Sequence, residues 1–333
     1  MAKRVTMIQG GGVGLDLVPA IQKILKAAGV QVEWDEHLAG GAAEAAGKPA
    51  LSKELLASVR ANGFALKTKL LPSPSDEHIN YNIRLRKELG LFASVRPLKN
   101  LPGLKSRFQN VDLMIIRELT EDLYASIEHV IVDGVVQSLK VVTEAASTRF
   151  FRFAFELTRS AGRKTIHCVH KANILKLADG LVLEAFRKVA KDFPDIAAKE
   201  IIVDNCCMQM VSKPTQFDVL AMGNLYGDIV SDLGAGLIGG ISATHAINHG
   251  DGIRVFDAFH GGKREVIGEN RANPLPMILP AIDLVEALGQ KAQAGRIQAA
   301  LEKVLNEGKL RPDDIGGHAS TTEMADAILS AMG

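Results

Sequence analysis

Asn224-Leu-Tyr-Gly-Asp228-Ile-Val-Ser-Asp232 places two carboxylates four residues apart. The apolar run Phe217-Asp-Val-Leu-Ala-Met222 precedes it and Gly234-Ala-Gly-Leu-Ile-Gly-Gly240 follows. The run predicts a strand, and the acidic stretch a helix that continues into a glycine-rich end. On a helix, Asp228 and Asp232 share one face, one turn apart. Like charges at that spacing repel, and a hard divalent cation between them, Mg²⁺ or Mn²⁺, would relieve the repulsion. The alternative is that Asp228 caps a helix and Asp232 is solvated. A third carboxylate, Asp204, ends Ile201-Ile-Val, which reads as a buried strand.

Working outward, residues 5–8 predict a buried strand, Gly10-Gly11-Gly12-Val13-Gly14 a turn, and residues 17–28 an amphipathic helix. Strand, glycine turn and helix open a nucleotide-binding α/β unit, although the spacing departs from G-x-G-x-x-G. Further strands are expected at 30–34, 64–67, 111–116, 165–169, 201–203 and 253–256. Helices are expected at 51–61 (Ser52 as cap), 148–161, 181–192, 297–307 and 321–332 (Thr321 as cap). Residues 72–78 form a turn-rich loop. Val130-Ile-Val-Asp133-Gly134-Val-Val136 signals a hairpin. Pro280 is expected to kink or break any helix over 275–288. Strands alternating with helices imply a mostly parallel sheet covered on both faces.

Arg86, Arg96 and Arg117 fall at or near element ends. Converging on one cleft, they suit a substrate with several carboxylates; dispersed, they are surface arginines. Lys171 follows a strand directly, where proximity to a metal could lower its pKa for proton transfer; the alternative is an exposed lysine.

With 333 residues, 47% hydrophobic and 23% charged, the chain is an ordinary two-domain or single large α/β length. A net charge of +1 gives no electrostatic case for nucleic acid or an acidic membrane. Neither a signal segment nor a run long enough to span a bilayer is expected. Three cysteines, two of them adjacent, suit a reducing compartment, and a cytoplasmic, soluble protein is the expectation.

Together these segments resemble the isocitrate/isopropylmalate dehydrogenases, the β-decarboxylating dehydrogenase family, across essentially the whole chain. The resemblance rests on Leu85-Arg86-Lys87, Val95-Arg96-Pro97, Arg117-Glu-Leu-Thr-Glu-Asp-Leu-Tyr124, Val169-His-Lys171-Ala-Asn173, Asp204-Asn205, residues 224–232, Phe259-His260-Gly261, Ala272-Asn273-Pro274 and Ser320-Thr-Thr-Glu-Met324. It implies an isopropylmalate-dehydrogenase-like α/β fold with a large, mostly parallel sheet flanked by helices. A smaller α/β domain would carry a β-hairpin clasp at a dimer interface. The large cofactor-side domain would comprise residues 1–97 and 245–333, and the small domain 98–244. The resemblance also implies a homodimer with shared sites: Asp204 and Lys171 from one chain, with Asp228, Asp232, Tyr124 and the three arginines from the other. Mg²⁺ or Mn²⁺ would act as Lewis acid, Lys171 would help remove the hydroxyl proton, and Tyr124 would protonate the enol carbon.

For the substrate, a tricarboxylate or dicarboxylate, Asn80 and Asn82 precede Arg86 where isocitrate enzymes show serine and asparagine. Asn82 with Arg84 makes a poor apolar wall for an isopropyl group. Isocitrate, converted to 2-oxoglutarate, is therefore the expectation. The alternatives are isopropylmalate, homoisocitrate or a related 2-hydroxy acid, or a catalytically silent regulatory subunit. Cofactor contacts are expected from His260, Gly261, Glu265, Val266 and Asn273. Glu265-Val266 is the acid-aliphatic pair that the resemblance associates with NAD, because a carboxylate accepts from ribose hydroxyls and repels a 2′-phosphate. Lys263 and Arg264 keep NADP open. Nearly all the departures from the family pattern (Gly11, Leu15, Pro72-Ser73 and Gly262-Lys263-Arg264) lie on the expected cofactor side.

Overall fold

The computed structural model of the chain describes residues 2–73, 75 and 80–333. Much of the expected turn-rich loop at 72–78 therefore lies outside the described residues. Two compact units emerge, the first comprising Met1–Leu89, Asn100–Arg107 and Gly239–Gly333, the second Gly90–Lys99 and Phe108–Ile238. The division differs from the one expected: residues 90–97 belong to the second unit, and residues 100–107 and 239–244 to the first. Strand β4 (Ala93–Lys99) pairs antiparallel with β5 (Asp112–Glu118) and so belongs wholly to the second unit.

In the first unit the strands are β1 (Lys3–Gln9), β2 (Val32–Leu38), β3 (Phe64–Lys67), β11 (His245–Gly250) and β12 (Ile253–Ala258), in the order β2-β1-β3-β12-β11. All neighbours run parallel except β11 and β12. Val5, Met7 and Ile8 are buried on both faces of β1, which explains its continuous apolar reading. The helices are α1 (Gly14–Ala27), α2 (Gly41–Ala45), α3 (Lys53–Asn62), α4 (Tyr81–Glu88), α9 (Arg264–Ile267), α10 (Leu275–Ala287), α11 (Lys291–Glu307) and α12 (Thr321–Met332). Leu17, Ile21, Ile24 and Leu25 form the buried stripe of α1. Ser52 caps α3 as expected, accepting from Leu55 N at 3.1 Å.

One expectation for this unit is corrected and another narrowed. Helix α10 is not broken at Pro280 and runs on to Ala287. Pro280 lacks the N–H that would have bonded the Pro276 carbonyl, so one helix bond is lost. Leu275, Met277, Ile278, Ala281, Leu284 and Val285 are buried along its length, and that packing outweighs the loss. The cap of α12 is Ser320, not Thr321. Its hydroxyl accepts from Glu323 N while the Glu323 carboxylate accepts from Ser320 N, a capping box.

The second unit orders its main strands β4-β5-β10-β8-β9, with β8 (Thr165–His170), β9 (Ala197–Ile202) and β10 (Val219–Met222) parallel to β5. Its helices are α5 (Glu144–Ser160), α6 (Ala178–Ala190), α7 (Val203–Ser212) and α8 (Asn224–Ile238). Phe151 and Phe155 of α5 pack against Phe186 of α6 with ring centroids 5.2 and 5.3 Å apart. The Asp133-Gly134 hairpin forms as read, from β6 (Glu128–Val132) and β7 (Val135–Ser138), and every residue of both strands is exposed. The strand expected before Asp204 forms only in part: Ile201, buried, and Ile202 close β9, whereas Val203 opens α7, which puts Asp204 in that helix's first turn.

Candidate active site

Helix α8 forms because Val230, Ser231, Gly234, Ala235 and Ile238 are buried along one side of it, leaving Asp228 and Asp232 on another. Asp228 therefore lies inside the helix rather than capping it. Its side chain is 39% exposed and that of Asp232 is 66% exposed. Facing them are two arginines from adjacent strands, each almost wholly buried. Arg117 on β5 donates from Nε and Nη2 to Asn224 Oδ1 at 2.9 and 2.7 Å, and from Nη1 to Asp228 Oδ1. Arg96 on β4 donates to Ser231 Oγ and reaches Asp228 and Asp232, each at 3.3 Å. Asn224 and the two aspartates compensate cations that would be costly to bury alone.

Arg117 can cross α8 only because residue 227 is glycine. A Cβ there would lie 2.4 Å from Arg117 Cγ and 2.6 Å from its Cβ. The second oxygen of Asp228 accepts from the Tyr124 hydroxyl at 2.5 Å, and the Arg117 guanidinium stacks 4.7 Å from the Tyr124 ring centre. Burial, reinforced by the bond to Asp228, holds the Tyr124 phenol above its usual range, so it stays protonated at neutral pH. Tyr124 itself stands on a single 3₁₀ turn, Leu123–Ala125, closed by Asp122.

Lys171 and Asp204 meet elsewhere in the same unit: the Lys171 ammonium donates to Asp204 Oδ1, which pulls the Asp204 carboxyl below its usual range. Among the described residues no three acidic, histidine or cysteine side chains of one chain converge as a metal cage. Asp228 and Asp232 nonetheless fit a hard divalent cation in chemistry: two carboxylates on one helix face, both open to solvent. The remaining ligands must come from substrate, water or another chain.

Arg86, Asn80 and Asn82 belong to the first unit. Asn80 is the cap of α4, accepting from Asn82 N and Ile83 N at 3.0 and 3.3 Å. Asn82 Oδ1 accepts from Lys67 Nζ at 2.9 Å, and Lys67 pairs with Asp257 at 2.7 Å. Arg86 reaches the other Asp257 oxygen at 3.9 Å. Burial pushes the Lys67 ammonium down while Asp257 holds it up. Sequence reading missed Lys67 and Asp257. The available signal was a lysine closing the otherwise apolar Phe64-Ala-Leu run.

Among the residues expected to contact the cofactor, His260, Gly261 and Asn273 line a cavity of about 370 Å³, together with Asp314. His260 Nε2 accepts from Lys69 N at 3.1 Å and its Nδ1 bonds Gly261 O at 2.6 Å. Burial lowers its pKa to about 4, so the ring is neutral. Asn273 is committed within the fold, to Leu275 N and Asp314. Glu265 and Val266 are exposed on α9, and Arg264 is tied to Asp16 at 2.8 Å and Glu269 at 2.9 Å. The glycine turn is filled by the chain itself: a Cβ on Gly12 (φ 56°) would lie 2.0 Å from Gly262 O. Glycine there makes room for backbone, not for an open phosphate cradle.

Two α/β units, one bearing the arginine–aspartate–tyrosine cluster and the other a cavity beside a glycine turn, define the class: a decarboxylating dehydrogenase. The chain belongs to the isocitrate/isopropylmalate dehydrogenase family, whose model matches residues 4–328. It is 42% identical to the protein named NAD isocitrate dehydrogenase catalytic subunit 5, mitochondrial, of Arabidopsis thaliana, over 97% of this chain and 87% of that one. It is 38% identical to a mitochondrial NAD isocitrate dehydrogenase regulatory subunit of Dictyostelium discoideum, over 98% and 91%. The crystal structure of isocitrate dehydrogenase from Methylococcus capsulatus superimposes with a TM-score of 0.92 at 41% identity, covering 99% of each chain.

Proposed function

We propose that the chain catalyses the metal-dependent oxidative decarboxylation of isocitrate to 2-oxoglutarate with reduction of NAD. The observation that carries this reading is the Asp228 carboxylate held between Arg117, Arg96 and the protonated Tyr124 hydroxyl. Arg96 and Arg117 offer guanidinium donors to substrate carboxylates, and the same role is assigned to Arg86 of the first unit. Mg²⁺ or Mn²⁺ on Asp228 and Asp232 would supply Lewis-acid stabilisation of negative charge on substrate oxygens, and NAD would supply the hydride acceptor. Tyr124 is placed to return a proton to carbon after CO₂ departs, since its phenol is kept neutral until an adjacent carbanion draws the proton. Lys171, paired with Asp204, is assigned the removal of the hydroxyl proton. Both residues are taken to complete the site of a neighbouring subunit.

The hairpin supports such assembly: Val130, Ile131, Val132, Val135 and Val136 are all exposed, an apolar patch that a monomer would leave in water. A homodimer is the simplest assembly. The relatives named as catalytic and regulatory subunits make a mixed assembly the second reading. The polar Asn82, anchored by Lys67, favours isocitrate over isopropylmalate as substrate. Arg264, neutralised by Asp16 and Glu269, leaves exposed Glu265 to favour NAD over NADP.

No described helix is long and apolar enough to cross a membrane. The cytoplasmic placement gains no support from the two relatives named above, both mitochondrial by name. The free Cys168, Cys206 and Cys207 fit either reducing compartment. Absorbance of reduced nicotinamide tests the activity, with isocitrate, isopropylmalate and homoisocitrate each offered with Mn²⁺ and NAD or NADP. Turnover of isocitrate with NAD is expected. Preference for another acid overturns the substrate assignment, and no turnover with any acid overturns catalysis in favour of a silent subunit.

A further inference from the structure

Tyr124 and Lys171 stand on different elements of the second unit, and each is held by a buried aspartate. Asp122 closes the Tyr124 turn: its Oδ1 accepts from Leu123 N and its Oδ2 from Leu225 N, both at 2.9 Å. The second bond anchors the first turn of α8, the helix that carries Asp228. Asp122 adopts φ 72°, a backbone conformation that non-glycine residues seldom hold without several restraints. Its own N–H supplies one of them, donating to Val141 O at 2.9 Å. Asp179, in the first turn of α6, accepts from Lys171 N through Oδ2 at 2.6 Å.

Between these carboxylates sits one ammonium. Lys140 Nζ lies 2.6 Å from Asp179 Oδ1, an ion pair rather than an aligned hydrogen bond, and 3.6 Å from Asp122 Oδ1. Its side chain is mostly buried, its cation lies 4.6 Å from the centre of the Tyr226 ring, and its chain neighbour Val141 is the residue that pairs with Asp122. Resting on the roles assigned above to Tyr124 and Lys171, we propose that Lys140 is a positioning residue that ties the Tyr124 turn to the Lys171 strand end through Asp122 and Asp179.

The physical reason is charge. Without Lys140, two buried carboxylates share one largely apolar pocket, walled by Val141, Phe150, Phe151 and Val169, with no cation between them. One must then take a proton or withdraw, and either event weakens the bond it accepts from Lys171 N or Leu225 N. A lysine serving only general stability would not couple these two amides specifically.

Amide exchange on the whole protein tests the proposal directly. In Lys140→Met, the Lys171 and Leu225 amides are expected to exchange at least about tenfold faster, while Leu220 in β10 keeps its protection. Lys140→Arg, which retains the charge, is expected to keep all three protected. The double variant Lys140→Met/Asp179→Asn, which leaves no unpaired charge at 179, carries the same test should Lys140→Met not fold. There both amides are expected to regain protection, because the amide oxygen of an asparagine at position 179 can still accept from Lys171 N and no charge is left uncompensated beside Asp122. A Lys171 or Leu225 amide that stays fast there overturns the proposal. In turnover, Lys140→Met is expected to lower kcat about tenfold or more with the KM of acid and cofactor within about twofold. In Lys140→Met, unchanged exchange at both amides, or uniform loss across the unit, overturns the proposal. If the wild type turns over no substrate, the assigned function fails while the exchange result still judges the tie.

Discussion

Replacing Asp228 with asparagine removes the one charge that Arg96, Arg117 and Tyr124 share. Asp228→Asn keeps the shape of the side chain but leaves two buried guanidinium groups with less compensation. Breaking a fully buried pair costs about 3–5 kcal/mol. Here the acid is 39% exposed and Arg117 keeps both bonds to Asn224, so a loss of about 1–2 kcal/mol of stability is expected. The fold should therefore survive, which makes the functional readout interpretable. Loss of one of two in-chain carboxylates should weaken Mn²⁺-dependent isocitrate binding by about 100-fold, equivalent to roughly 2.8 kcal/mol. Calorimetric titration with isocitrate, with and without Mn²⁺, measures the difference. A second readout comes from the phenols, of which the chain has three. With the neighbouring anion gone, Tyr124 should ionise at lower pH than in the wild type, although burial still holds it above the ordinary phenol value. Unchanged metal-dependent affinity in a folded variant would refute the placement of the cation at Asp228.

Two other perturbations test different links. Gly227→Ala, which in an exposed helix would stabilise by about 1 kcal/mol, should instead destabilise by about 1–3 kcal/mol, because the new methyl meets the base of Arg117. Thermal melting and turnover should both fall, and a more stable variant would contradict the close approach of Arg117 to α8. The pH dependence of stability should follow His260, whose folded pKa of about 4 lies below the free imidazole value. The unfolded chain then binds more protons between those two values. Stability is fully present above the unfolded pKa and lost as pH falls from about 6.5 towards 4. His249, lowered to about 4 by burial, acts with the same sign. His260→Asn should flatten the acid limb of melting temperature against pH, and an unaltered limb would show that His260 is solvated.

The sequence made α8 legible because its apolar positions recur at helical spacing, and the Asp-Gly hairpin because its turn chemistry is local. Helix α7 was not legible, since Ile201-Ile-Val203 has the composition of a strand and only packing ends β9 at Ile202. Pro280 misled for the opposite reason: a local rule was outweighed by burial along nearly the whole of α10. Strand β11, with two histidines and an asparagine in six residues, carries no apolar alternation to announce it. Asp228 and Asp232 were nameable from their spacing, Arg96 and Arg117 from their places at element ends, and Tyr124 from the family resemblance. That Asp228 serves as the acceptor for both arginines and for the phenol was not, because those partners come from separate strands and turns. The same holds for Lys140, whose two aspartates lie far from it in sequence and meet only in the folded unit.

Mixing subunits tests the shared site most directly. Asp228→Asn and Lys171→Met chains, each inactive as pure protein, are co-expressed and the hybrid assayed for isocitrate-dependent reduction of NAD. If Lys171 of one chain serves the Asp228 site of another, random pairing restores about a quarter of wild-type activity, because half the dimers are hybrids and each has one intact site. Activity no higher than that of the inactive parents, in dimers shown to have exchanged, would contradict it.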